Sequence, residues 1–255
     1  MTFGYVFRVA LVLLALPLLG EEATAGESAR PRGVIELFTS QGCATCPPAD
    51  KIFEKLANST DLVAIAYHVD YWDYLGWRDT LSNSESTDRQ YSYMRAFGAR
   101  SVYTPQAVIN GRVHVNGGKR SEIDAAFRQL NSSGEGLSVD VSVRHHGDSL
   151  IINAGPAQGI APKAYVMLVF FAPPQAVRMK EGENEGRVIT YWNSVTNVQA
   201  AGVWRGEATT YEVPARNIPE SGGCAVLLQA VGKDGVPGPV LGAASYRKLE
   251  AQPRG

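Results

Sequence analysis

Cys43 and Cys46 stand two residues apart in Gly42-Cys43-Ala44-Thr45-Cys46-Pro47, and no other pair in the chain is as well spaced for chemistry. Cysteines one helical turn apart have Cα atoms within disulfide range. Such a pair suits thiol–disulfide exchange, in which one thiolate attacks a partner disulfide and the second thiol releases the mixed disulfide. On this reading Cys43 lies at a helix cap, more exposed, and is the nucleophile. Cys46 lies inside the first turn and resolves. The same spacing also fits a static structural disulfide, or half of a metal site. With Cys224 as third thiol and His114 as fourth ligand it would make a thiolate Cu(I) module, since soft sulfur selects Cu(I). The exchange reading requires no cofactor and no metal.

The elements around the pair are legible. Val34-Ile35-Glu36-Leu37-Phe38 is a short apolar run between Pro31-Arg32-Gly33 and Thr39-Ser40-Gln41-Gly42, which predicts a buried strand. Pro47–Ala57 places Ile52, Phe53 and Leu56 on one helical face, and proline is tolerated in a first turn. Both sulfurs are then expected where free N–H groups and the helix dipole stabilise a thiolate. Asp61–Val69 reads as a second strand, followed by an aromatic loop from Asp70 to Asn83 and a helix over Ser86–Phe97 that Gly98 ends. Asn110-Gly111, between Gln106–Ile109 and Arg112–Val115, predicts a hairpin with a type I′ turn. Ser121–Leu130 opens with a cap-like serine and closes an order of βαβαββα.

Residues 131–136 form a small polar linker, after which the composition changes. Leu137, Val139, Val141 and Val143 alternate with polar residues. Further strand-like runs are Ser149–Asn153, Ala164–Phe171, Val188–Val198, Thr209–Val213, Ala225–Val231 and Val240–Tyr246. Seven short strands between turn residues predict an antiparallel sandwich over residues 137–250. At the other end, Arg8, the apolar stretch Val9–Leu16, and Ala23-Thr24-Ala25 have the pattern of a cleaved signal peptide over residues 1–25, leaving 26–32 as a short mature segment. That apolar core is short for a membrane span, so the expected product is periplasmic or secreted, with no membrane attachment after cleavage. Without residues 1–25 acidic and basic residues balance, which argues against nucleic acid as a partner. Three cysteines are too few for a disulfide-built scaffold, so the core must come from ordinary packing.

The layout over residues 33–130, with Thr104-Pro105 before the third strand, resembles the thioredoxin fold. Phe38–Cys43, Cys46-Pro47-Pro48-Ala49-Asp50, His68–Trp77, Tyr103-Thr104-Pro105-Gln106 and Asn110-Gly111 resemble a secreted thioredoxin-like family, domain of unknown function 1223. The likeness is specific over residues 33–118 and looser beyond residue 137. It implies an α/β thioredoxin-like domain (33–130) followed by an all-β sandwich domain. It also implies a cis Thr104–Pro105 bond packed against the sulfurs, which adds Pro105 and Thr104 to Cys43 and Cys46 as catalytic residues. Trp72, Trp77 and Tyr103 are candidates for a substrate groove, with packing of the loop as the alternative for the tryptophans. There are departures from ordinary thioredoxins. Gly42 replaces a tryptophan, Ala44-Thr45 replaces Gly-Pro, and Leu37 stands where those proteins bury an aspartate. Glu36, on the other face of the strand, is the remaining candidate proton acceptor. His68, Asp70 and Asp73 read as pairing or capping groups before metal ligands, and Cys224 as buried packing. The expected function is an exported thiol–disulfide oxidoreductase acting on protein thiols or disulfides, with a redox partner protein. The alternatives are the Cu(I) module and a sandwich interaction protein with a structural disulfide.

Overall fold

The computed structural model describes residue 1 and residues 30–159 and 162–248. The expected signal peptide, Met1 apart, lies outside the described residues. The first sheet has the order β2-β1-β3-β4. Its strands are β1 (Gly33–Thr39), β2 (Leu62–His68), β3 (Gln106–Ile109) and β4 (Val113–Asn116). β1 runs parallel to β2 with Thr39 opposite His68, and antiparallel to β3. Asn110 and Gly111 both take positive φ, 50° and 62°, as a type I′ turn requires.

Three helices belong to this part: α1 (Pro47–Ala57), α2 (Ser84–Ala96) and α3 (Arg120–Ser132). The Asn83 side chain caps α2 by accepting the Ser86 N–H, so the helix starts two residues before the expected Ser86. α3 begins at Arg120, so Ser121 lies within it and is not the cap. α1 and α3 cover one face of the sheet, where Ile35 and Leu37 meet Phe53, Leu56, Ile123 and Phe127. The other face carries Val34, Phe38, Ile65 and Tyr67, and packs against Tyr93 of α2 and against a second sheet.

That sheet has the order β10-β7-β12-β13, from β7 (Ala164–Phe171), β10 (Val195–Trp204), β12 (Gly223–Val231) and β13 (Pro237–Arg247). Side chains alternate along its central strands. Val169, Phe171, Ala225 and Leu227 face the first sheet, while Leu168, Phe170, Val226 and Leu228 face a third. The third sheet is β11-β6-β5, built from β5 (Val141–His146), β6 (Ser149–Ala154) and β11 (Thr209–Pro214). Among the described residues β8 (Gln175–Arg178) and β9 (Val188–Tyr191) pair only with each other.

This arrangement corrects the expected class, an α/β thioredoxin-like domain of order βαβαββα followed by an all-β sandwich. The molecule is mostly β, with thirteen strands and three α-helices among the described residues, in several small sheets. An α/β layering covers both faces of its sheet with helices. Here a second β-sheet takes much of one face, and the two sheets share a core. The second correction concerns Val188–Val198, read as one strand. It breaks at Asn193, with φ 49°, into β9 and β10, and β9 pairs with the unforeseen β8.

Candidate functional site

Cys43 and Cys46 are joined as a disulfide at the start of α1. Their order along the helix differs from expectation. Cys46 is the N-cap, while Cys43 precedes it in a turn where the Cys43 N–H donates to Ser40 O and the Cys46 N–H to Cys43 O. Both residues are buried, with exposures of 3% and 0%, so Cys43 is not an open thiol. The expected ring of free N–H donors is also missing. Pro47 and Pro48 have none, and the Ala49 and Asp50 N–H groups both donate to Cys46 O. A thiolate on Cys46 would need a proton source or another stabilising group.

Asp50 is placed for that role, and the sequence reading passed over it. It lies one α turn beyond Cys46, and residues four apart share a helix face. Its carboxyl is buried, Oδ1 accepts from Thr39 Oγ1 at 2.8 Å, and Oδ2 has no protein partner. Burial pushes its pKa up to about 7, opposed by the Thr39 hydrogen bond and the nearby His68 and supported by Asp79. The signal was available: Asp50 stands between Ala49 and Phe53, both on the core-facing side of α1.

Behind Asp50 lies a buried pair, His68 Nδ1 to Asp79 Oδ2 at 2.8 Å. Burial alone would lower the His68 pKa, but Asp79 overrides it and raises it. Asp79, which burial alone would raise, is held below the usual range by His68 and by the N–H groups of Gln41 and Leu81. Ser194 lies 3.3 Å from His68 Nε2, and the Tyr191 ring meets the imidazole edge-on. The Tyr191 hydroxyl is buried without a protein partner, and its pKa is raised by burial and by Asp50 and Asp79. Glu36 is corrected as a proton acceptor, since it lies on the opposite face of β1, bound to Arg89 at 2.6 Å and to the Tyr93 hydroxyl.

The Thr104–Pro105 bond is cis. Gly117 fits between Leu37, Pro105 and Ala49, where an added Cβ would lie 2.7, 3.3 and 3.5 Å from their side chains, so Pro105 borders the first turn of α1. Trp72 connects the two loops: its Nε1 donates to Thr104 Oγ1 at 2.8 Å, and its backbone and Cβ press on Gly42. A tryptophan at position 42 would collide there. Trp77 Nε1 donates to Gln41 Oε1 at 2.9 Å and fastens the same loop from the other side. Both tryptophans are half-buried. Tyr103 turns to His114, 2.9 Å from hydroxyl to Nδ1, and its carbonyl accepts from Gln90. Asp70 binds Thr87 and Asp73 accepts the Asp79 N–H, so neither joins His68 in a ligand set. Cys224 lies in the core between the second and third sheets, where burial pushes its thiol up to about 12.

The last contributor comes from the loop joining β8 and β9. Asn184 Nδ2 donates to both Gln41 O and Cys43 O at 2.9 Å. No curated protein matches this chain. Among solved structures, the crystal structure of protein AGR_C_4864 from Agrobacterium tumefaciens is 43% identical, with a TM-score of 0.79, and the likeness covers 88% of this chain and 97% of that one. A family model described as protein of unknown function (DUF1223) matches residues 34–229, across the disulfide loop, the buried Asp50–His68–Asp79 cluster and Asn184 alike, and the chain belongs to that family.

Proposed function

We propose that the protein is an exported thiol–disulfide oxidoreductase acting on protein thiols through Cys43 and Cys46. The observation that carries this reading is a bonded CxxC pair with a buried, singly hydrogen-bonded carboxyl one turn away. In the reducing direction a partner thiolate attacks Cys43 Sγ, and the electron pair of the S–S bond leaves on Cys46. Cys46 takes the proton of neutral Asp50. The partner's second thiolate then attacks the mixed disulfide and Cys43 departs as a thiolate, leaving a dithiol here and a disulfide on the partner. In the reverse direction ionised Asp50 accepts the Cys46 proton as that thiol resolves the mixed disulfide. An acid with a pKa near the working pH serves both directions. Thr104 and Pro105, tied to the loop through Trp72, border the place where the partner's sulfur would approach.

The test is equilibration of metal-free protein with a graded dithiol–disulfide buffer, together with turnover on a protein disulfide. Wild type should show a defined potential in the range of about −270 to −120 mV found for known exchange proteins. Cys43→Ser should abolish turnover. A potential far below that range with no turnover would instead make the disulfide a structural staple.

A further inference from the structure

The β8–β9 hairpin has a base bonded to the first sheet and a tip in which Met179 and Asn184 are buried while the residues around them are largely exposed. At the base the Ala172 N–H donates to Ser194 O, the Ala66 N–H to Asn193 O, and Asn193 Nδ2 to Ala64 O, all within 3.0 Å, so the hairpin's ends are fixed to β2. The strands themselves pair with no other strand among the described residues. At the tip, the polar ties to the disulfide loop are the two bonds from Asn184. Gly182, with φ 77°, adds a close fit: a Cβ there would lie 2.8 Å from the Trp77 Cβ. In the closed form Asn184 Oδ1 is buried with no partner among the described residues, so the tip gives up hydration it does not replace. The disulfide, whose Cys43 carbonyl the tip holds, is inaccessible, at 3% and 0% exposure.

We propose that this hairpin is a cover over the Cys43–Cys46 disulfide, latched by Asn184 on the Cys43 carbonyl, and that a protein thiol reaches Cys43 only after the tip swings away from its base at Ala172 and Ser194. The inference rests on the exchange reading and names the regulation of that site. It also assigns the C-terminal half a task, because that half supplies the cover. Gating of this kind draws on segments with few buried contacts, anchored at defined ends.

The experiment compares wild type with Asn184→Ala, which removes the latch, and Gly182→Ala, which wedges the tip against Trp77. The disulfide is reduced by a small phosphine and, separately, by a reduced protein dithiol. Loss of two hydrogen bonds from the closed form should accelerate reduction by the protein dithiol about tenfold, and reduction by the phosphine less. Equal rates in wild type and in either folded variant would overturn the cover. Amide exchange on oxidised wild type gives a second reading that needs no variant. Residues 179–187 should exchange by local opening while the base stays protected, and exchange of tip and base only on global unfolding would overturn the proposal. If every form is reduced by phosphine and none by protein dithiol, the exchange reading fails, and amide exchange still decides whether the tip opens.

Discussion

Strand β1 has a buried carboxylate network on each face, and the two are built in opposite ways. On the face toward the second sheet, Glu36 is matched on both oxygens: Arg89 binds Oε2, the Tyr93 hydroxyl binds Oε1, and Gln229 of β12 binds both Arg89 and Tyr93. Arg89 also lies over the rings of Tyr67 and Tyr93. On the face toward α1, Asp50 has one hydrogen bond, one bare oxygen and a neighbouring pair, His68 and Asp79, that already neutralise each other. A fully matched buried ion pair fixes geometry, whereas a half-matched acid is left free to gain and lose a proton. The first fastens the two sheets together, and the second lies one helical turn along from Cys46.

The hardest test of this contrast is Arg89→Ala. It leaves Glu36 buried and uncompensated, so it should cost about 3–5 kcal/mol in denaturant unfolding while leaving the pH profile of exchange in its place. A shifted profile would show that the two faces are not independent. Asp50→Asn should do the reverse. Native Asp50 stays protonated up to about pH 7, whereas the unfolded chain ionises it near pH 4. Between those values the native state binds more protons, so wild-type stability should fall as pH rises, by at most about 4 kcal/mol in all. Asp50→Asn should flatten that slope and remove the inflection near neutral pH from the exchange rate. The raised His68 has its own signature: its contribution is present below about pH 6.5 and lost as pH rises above it, in both proteins. An unchanged slope in Asp50→Asn would exclude Asp50 as the titrating group. The smallest and most pointed change is Thr39→Val, which keeps the shape but removes the bond to Asp50 Oδ1. A hydrogen bond to a charged acceptor contributes about 1.5–3 kcal/mol, so the inflection should move upward by about one to two pH units. A downward move would mean that Thr39 favours the neutral acid.

Much of the first sheet and its helices could be read in the sequence because each signal is local. Strand runs bounded by glycine and proline, the Asn110-Gly111 turn and the spacing of Phe53 and Leu56 all act within a few residues. The cysteine pair was legible for the same reason. What the sequence did not display was which surfaces meet. β12 reads as an apolar run, but the run does not say that its two faces serve two different cores. Asp50 drew no role from the sequence although it shares the core-facing side of α1, and His68 with Asp79 depends on a loop that folds back over eleven residues. Asn184 is the extreme case: a polar residue between glutamates, 141 positions from the cysteine whose carbonyl it binds.

The shared core between the first two sheets has a consequence for anyone dividing the chain. Cutting in the polar stretch at residues 131–136 would strip Val169, Phe171, Ala225 and Leu227 from the sheet surface that carries Val34, Phe38 and Ile65. An N-terminal fragment ending there would present a broad apolar face to water, together with Glu36 and Arg89 deprived of Gln229. Such a fragment is expected to self-associate rather than behave as a portable redox module. The two halves can be expected to change together over evolutionary time, because they share one core.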